Sequence, residues 1–415
     1  MKRFGGRWLI LTLGLVVLLI VGGVVAYLAL AGLFGTRQVM PASTHNSVNI
    51  YGPVQNDLLY PPVRLDIDPM EALLLVNFEE DPDVVYLGFE PQLFDDPVHG
   101  QGMIVIGWRR DRKVDVYHQP GLRLSRDTYD IAGDGLNEMV ERPLADAYYR
   151  VTESGVDAYF AFDDLLGRSV EVAIREENRR QRRPFGLLAP MGNVATNPSA
   201  LPLVLLHDFY FVRQSGTTFS IRVDGRERKP DSLPLPIDGT RMYFTRYSPD
   251  PLIATLNPAW NGPLSPLERT SPTEARLGDL VFDLVEHHGR TEFAAMRHGY
   301  KDREVRVYFT PPLPNPPNLT DGARSTGHFT ISADPSVGTV IGEYEIARQG
   351  DRVNITMIPS QGWRPNEDKL SVRLIYAFAP DFNNWPKTYR WTAELDLTDL
   401  EQVTMQSAWQ RINRD

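Results

Sequence analysis

Residues 389–397, YRWTAELDL, place Tyr389, Trp391, Ala393, Leu395 and Leu397 on one side of an extended chain and Arg390, Thr392, Glu394 and Asp396 on the other. Alternation with a period of two is the signature of a β-strand that presents one face to a core and the other to water. The same pattern recurs in Val156, Ala158, Phe160 and Phe162 and in Val305, Val307 and Phe309, whereas residues 203–212 are almost continuously apolar and suit a strand buried on both faces. Turn chemistry joins these runs. Ser154-Gly155 separates 147–151 from 156–162, Ser215-Gly216 separates 203–213 from 218–223, and Gln349-Gly350-Asp351 separates 342–347 from 353–358. Each reads as an antiparallel hairpin. No 3.6-residue periodicity of useful length intervenes, which disfavours a parallel βαβ sheet. Thr398 and Glu401 have capping-box spacing for a short terminal helix, although Leu397 equally extends the preceding strand.

The expected fold class is therefore all-β: an N-terminal transmembrane helix, then an antiparallel β ectodomain in two barrel- or sandwich-like halves. Proline cannot donate to a sheet ladder, so the proline-rich stretches 257–272 and 311–317 read as connectors or edges. The first of them separates two groups of strands, so the chain reads as a basic tip and anchor (1–35), a polar stalk (36–57), a first β domain (58–256), a linker (257–274) and a second β domain (275–415), with one continuous sandwich carrying long loops as the alternative.

The anchor is read from Trp8 to Phe34, 27 positions without a charge, preceded by Lys2, Arg3 and Arg7. That length exceeds the roughly 20 residues a helix needs to cross a bilayer, and the basic flank stays cytoplasmic. A cleavable signal peptide is the competing reading, with Ala29-Leu30-Ala31 before Gly32, but its apolar region would be unusually long. Both readings export the rest of the chain. The expected location is the bacterial cytoplasmic membrane, single-pass, with the C-terminal part on the outer side.

The formal charge of −10 disfavours a nucleic-acid partner, because phosphate binding requires clustered cations; Arg179, Arg180, Arg182 and Arg183 form one basic stretch, beside Glu176 and Glu177. Cysteine is absent, so disulfides, thiolate metal sites and a cysteine nucleophile are excluded, and stability must come from burial. The scarcity of lysine, six against 37 arginines, is the association behind the bacterial assignment.

Signatures of familiar chemistry are missing: no GxSxG elbow, GxxxxGK[ST] loop, HExxH helix or GxGxxG loop occurs. The sharpest local signal is residues 130–141, DIAGDGLNEMVE, where Asp130, Asp134, Glu138 and Glu141 occupy positions one, five, nine and twelve of a calcium-type loop with Gly135 at six. Ala132 at position three departs from that pattern, and an acidic glycine turn competes with it. Glu286, His287, His288, Glu292 and His298 form the histidine cluster, where metal binding competes with an exposed turn before Gly289. Asp95-Asp96 and Asp163-Asp164 each follow a phenylalanine; adjacent strand residues face opposite ways, so neither pair alone supplies two carboxyls across a sugar. His207-Asp208 lies inside the apolar run, where charge is costly unless hydrogen-bonded, and is the candidate acid/base pair, with a satisfied structural histidine as the alternative. Tyr243, Phe244 and Tyr247 beside Arg241 and Arg246, and Trp363, Trp385, Tyr389 and Trp391, either fill interiors or line a ligand site. Tyr243, Arg246, Tyr247 and Trp391 are the ligand-binding candidates.

Two β-rich halves carrying strands such as residues 160–174, FAFDDLLGRSVEVAI, resemble the tandem lipocalin-like proteins related to carotenoid hydratases. The resemblance lies in the architecture and implies two barrel-like halves around an apolar ligand. The expected function is a non-enzymatic, membrane-anchored β protein binding an apolar or amphipathic ligand or an envelope partner, with no cofactor unless calcium. A lipid- or terpenoid-acting enzyme using His207 and Asp208, and a carbohydrate-binding or carbohydrate-active envelope protein, are the alternatives.

Overall fold

The computed structural model describes residues 50–52, 57–130, 132–190, 198–234, 236–367, 369, 372–373, 376 and 384–412. The expected anchor and most of the stalk lie outside these residues, and no described helix is long and apolar enough to cross a membrane.

The chain is all-β, built from curled antiparallel sheets. The ten-stranded N-terminal sheet runs, in spatial order, through Leu65–Asp68, Asp250–Leu256, Leu201–Arg213, Met242–Ser248, Ala72–Asn77, Tyr86–Asp96, Gly100–Arg109, Val114–His118 and Leu136–Glu141, with Phe185–Ala189 added beside Leu201–Arg213. Leu201–Arg213 is buried on both faces as its apolar run predicts; Asp208 alone is exposed. Asp208 takes φ 47°, and at this kink the strand changes partners. Before it, residues 201–207 pair with Asp250–Leu256; beyond it, residues 210–213 pair with Met242–Ser248.

Against the N-terminal sheet lies a five-stranded sheet ordered Arg226–Arg228, Thr217–Val223, Ser169–Glu176, Gly155–Asp163, Tyr148–Thr152. Its inner face carries Phe160 and Phe162, whose rings meet Phe89 edge-on at 6.3 and 6.0 Å. The turns Ser154-Gly155 and Gln349-Gly350-Asp351 join paired neighbours. Ser215-Gly216 does not: Leu201–Arg213 and Thr217–Val223 belong to different sheets, so this link is a crossover, pinned where Glu177 N–H donates to the Gly216 carbonyl. A second departure is the parallel pairing of Val114–His118 with Leu136–Glu141, reached through a crossover with the one-turn helix Arg126–Tyr129. Residues 398–402 form a turn rather than a helix, since the Asp396 carboxylate holds the Thr398 N–H and hydroxyl.

The eleven-stranded C-terminal sheet is a meander from Glu268–Ser271 to Thr404–Arg411, with Trp260–Pro263 added to the outer side of that last strand. The alternating strand Tyr389–Asp396 lies within it, Trp391 opposite Trp409 and Leu395 opposite Met405. Proline-rich residues 257–272 thus supply both edge strands, Trp260–Pro263 and Glu268–Ser271. Laid flat, eleven strands about 4.8 Å apart would separate those edges by about 48 Å. The four residues 264–267 connect them. Five extended steps span about 18 Å at most, so the sheet must curl until its edges approach. Leu264 and Leu267 are buried in this seam, their N–H groups donating to the carbonyls of Val403 and Leu59.

Residues 59–63 are buried without belonging to a sheet. Tyr60 N–H donates to Asn315 and its hydroxyl to the Glu401 carbonyl, while Gly52 and Ile50 exchange backbone bonds with Asn318 and Thr320. The segment entering the first strand is therefore held by the C-terminal sheet. Asn257, through Met357, and Trp409, Arg303 and Lys301 add polar ties between the two halves, and the buried apolar side chains of both form one continuous cluster.

Candidate functional site

Strand alternation sorts the N-terminal candidates. Along Met242–Ser248, Tyr243 and Tyr247 face one way and Phe244 and Arg246 the other. Tyr243 is half-buried, its ring edge-on to Phe219 at 5.0 Å; Tyr247 is fully buried, its hydroxyl accepting from Arg182 at 3.3 Å. Both belong to the packing between the two N-terminal sheets, so the expected grouping of Tyr243, Arg246 and Tyr247 in one site does not form. Trp391 is likewise core, with no exposed surface.

Arg246 lies on the opposite face among polar residues. Register places Leu75 beside it, Asn77 two residues along, Gly88 opposite Asn77, and Trp108 opposite Gly88. Gly88 contributes no side chain to this row. One Arg246 terminal nitrogen donates to Asn77 Oδ1 at 2.8 Å and to the Phe244 carbonyl at 3.2 Å, and the guanidinium rests 4.5 Å from the Phe244 ring centroid. Burial pulls its pKa down to about 10, although the fields of Glu90 and Glu79 oppose that shift. Among the described residues, no carboxylate is within ion-pairing distance of Arg246. Arg168, Arg213 and Arg228, the other arginines sunk into this half, each hold one at 3.1 Å or less.

Glu90, two residues beyond Gly88, is the acid counterpart. It accepts from Gln92 Nε2 at 2.8 Å and Trp108 Nε1 at 3.0 Å, and its burial raises its pKa. The arrangement is an arginine with unused donors, a carboxyl that resists ionisation, and the rings of Phe244 and Trp108. It can bind an anionic group on an apolar body. Sequence reading missed Glu90. The signal was the one applied to His207-Asp208, a charged residue inside an apolar run, here Leu87-Gly88-Phe89-Glu90-Pro91.

His207 and Asp208 do not act together. The imidazole points inward, Nδ1 lying 3.1 Å from the Asp250 carbonyl and Nε2 buried without a partner among the described residues; Asp208 turns outward at the kink. Burial, reinforced by Arg303, lowers the His207 pKa. The calcium candidates are also dispersed. Asp134 is paired with Arg112 at 2.7 Å, Glu138 with Arg126 at 2.9 Å, Asp130 accepts from Leu136 N–H at 3.4 Å, and Glu141 is exposed at a strand end. Among the described residues no group of three or more histidine, aspartate or glutamate side chains is arranged to hold a metal ion. The loop's flanks explain why: one is a single helical turn and the other a parallel strand.

The remaining acids and histidines serve the fold. His288 and Gly289, with φ 51° and 66°, make the hairpin turn that the sequence suggested, and His287 reaches buried Glu292, which Tyr51 also engages. His298 contacts the Leu65 carbonyl at 2.8 Å. Asp164 caps its turn and pairs with Arg168, whereas Asp96 and Asp68 flank His99 at 3.2 and 3.0 Å.

No protein family, characterised protein or solved structure matches the chain.

Proposed function

We propose that this chain is a non-enzymatic, exported and membrane-tethered β protein that holds the anionic head of an amphipathic ligand at Arg246. The observation carrying this reading is the half-buried Arg246 guanidinium, set against Phe244 and, among the described residues, facing no carboxylate at ion-pairing distance. Desolvating a cation without a counter-ion is costly, and an anionic ligand would offset that cost. Trp108 and Phe244 offer area for the apolar body, and Asn77, Gln92 and Glu90 offer orienting contacts. The opposed directions of His207 and Asp208 support binding over acid/base turnover. The apolar run 8–34 and its basic flank support the tether, and the lipocalin-like resemblance accords with an amphipathic ligand.

Oleate and dodecyl phosphate are suitable probes, with Trp108 as an internal fluorophore. Titration should change the emission of the wild type, weaken at least tenfold in Arg246→Gln, and weaken less in Arg246→Lys, which keeps charge but loses the planar fork. Equal affinity in wild type and Arg246→Gln would overturn the assignment. Alkaline phosphatase fused after Gly35 should be active; an inactive fusion would overturn export.

A further inference from the structure

The five-stranded sheet turns one face to the core and leaves the other open. Val156, Ala158, Phe160, Phe162, Val170, Val172 and Ile174 are buried, and the residues alternating with them reach solvent. Across the open face the register runs Tyr148, Tyr159, Ala173, Ser220 in one row and Ala161, Glu171, Arg222, Glu227 in the next. Two tyrosines are thus followed by two small residues in the first row, and Ala161 and Ser169 leave a shallow groove beside Tyr159. The groove measures about 590 Å³ and is lined by Arg142, Tyr159, Ala161, Asp163, Glu171 and Arg222. That volume falls within the roughly 300–1,000 Å³ of ordinary ligand sites.

The rings are fixed in place. Tyr148 and Tyr159 lie nearly parallel, at 29° with centroids 6.4 Å apart; the Tyr148 hydroxyl donates to Asp157 at 3.0 Å, and the Arg150 guanidinium stands 5.2 Å from the Tyr148 centroid. Arg142 is held at the rim by donating to the carbonyls of Asp163 and Glu141 at 3.0 and 3.1 Å. The charged side chains that line the groove balance: Arg142 and Arg222 against Asp163 and Glu171. A balanced field does not select a polyanion or a polycation. It does provide donors and acceptors in alternation beside flat apolar rings, which matches a neutral polyhydroxylated chain, whose C–H faces stack on tyrosine while its hydroxyls both donate and accept.

We propose that the open face of the five-stranded sheet is a binding groove for a neutral polysaccharide, with Tyr159 as the stacking platform and Arg222 and Glu171 as hydrogen-bonding groups. The groove is on the far side of this sheet from Arg246, so the two sites are independent. Affinity electrophoresis of the detergent-solubilised full chain through gels containing dextran, laminarin or galactomannan tests it, with heparin as the polyanion and an extended peptide as the protein-like competitor. At least one neutral polymer should retard the wild type. Tyr159→Ala should weaken that retardation at least tenfold, as should Ala161→Trp, which fills the groove, and Arg246→Gln should leave it unchanged. Hydrogen exchange in residues 155–176 confirms that the variants keep the sheet. Retardation by none of the neutral polymers, by heparin alone, abolished by the peptide alone, or equal in wild type and both groove variants overturns the proposal.

Discussion

Replacing Glu176 by glutamine tests how the two N-terminal sheets are joined. Arg213 ends the long strand of the large sheet, Glu176 ends a strand of the small one, and both side chains are essentially fully buried, at 1 and 0 % exposure. The carboxylate accepts from Arg213 Nε at 2.5 Å, from Arg213 N–H at 3.1 Å and from Val156 N–H at 3.1 Å; the guanidinium also donates to the carbonyls of Ser154 and Arg180. Glutamine keeps the shape but removes the charge and substitutes a donor for one acceptor. An uncompensated buried cation then remains, a situation that costs about 3–5 kcal/mol. One residue along the chain, Glu177 pairs with Arg175 at 2.6 Å, both side chains well over half exposed. Screening by water limits such a pair to about 1 kcal/mol or less, so Glu177→Gln is the internal control. Native-state hydrogen exchange of amides in residues 155–163 and 169–176 reads the opening equilibrium of the small sheet. Glu176→Gln should raise exchange about a hundredfold or more and Glu177→Gln less than about tenfold. Replacing both partners with apolar residues, Glu176→Leu with Arg213→Met, should recover much of the loss, because breaking a buried pair is worse than deleting it. Equal protection in the two single variants would refute the reasoning.

The hydrogen bond to Asp68, reinforced by Asp96, raises the pKa of His99, so its stabilising contribution is complete below the unfolded value of about 6.5 and is lost as pH rises through the folded value. Thermal melts of His99→Gln should therefore fall furthest below wild type at the acidic end; a deficit that grows with pH would contradict this. His207 has the opposite sign: its lowered pKa withdraws stability as pH falls below about 6.5, and His207→Asn should flatten that acid limb in urea titrations. Trp391→Ala should cost about 3–5 kcal/mol of stability in urea unfolding without changing oleate affinity per folded molecule, since the ring fills core. Gly186→Ala would put a methyl 2.2 Å from the Ser336 carbonyl oxygen, where backbone must move, and limited proteolysis between the halves should accelerate.

Period-two alternation is a local property, and it made the strands legible: residues 389–396 and 156–162 form strands as read. Which strand a chain pairs with after a turn depends on burial elsewhere, and there local reading failed. Ser215-Gly216 carries the same turn chemistry as Ser154-Gly155, yet it crosses between sheets because Arg213 and Glu176 meet at the crossing. The parallel pair at Leu136–Glu141 carries no local mark, because the ligand-like spacing of residues 130–141 says nothing of which strand lies beside them. Arg246 was picked out by its aromatic neighbours, but Tyr243 and Tyr247 face away from it, as alternation itself required. Glu90 had the same kind of local signal as His207 and went unread. Tyr51, placed in the stalk, had none, since its partner Glu292 is 241 residues away.

The four-residue seam at 264–267 constrains the order in which the chain can assemble. Among the described residues Trp260–Pro263 finds its strand partner only in Thr404–Arg411, so a chain emerging from its N-terminus must carry an orphan strand through the passage of about 140 residues before that edge is covered. An orphan edge invites pairing with other chains. This one is only four residues long and ends in Gly262-Pro263, a weak strand former followed by a residue that offers no ladder donor. The sequence that makes Trp260–Pro263 a poor strand in the finished sheet also makes it a safe one to leave waiting.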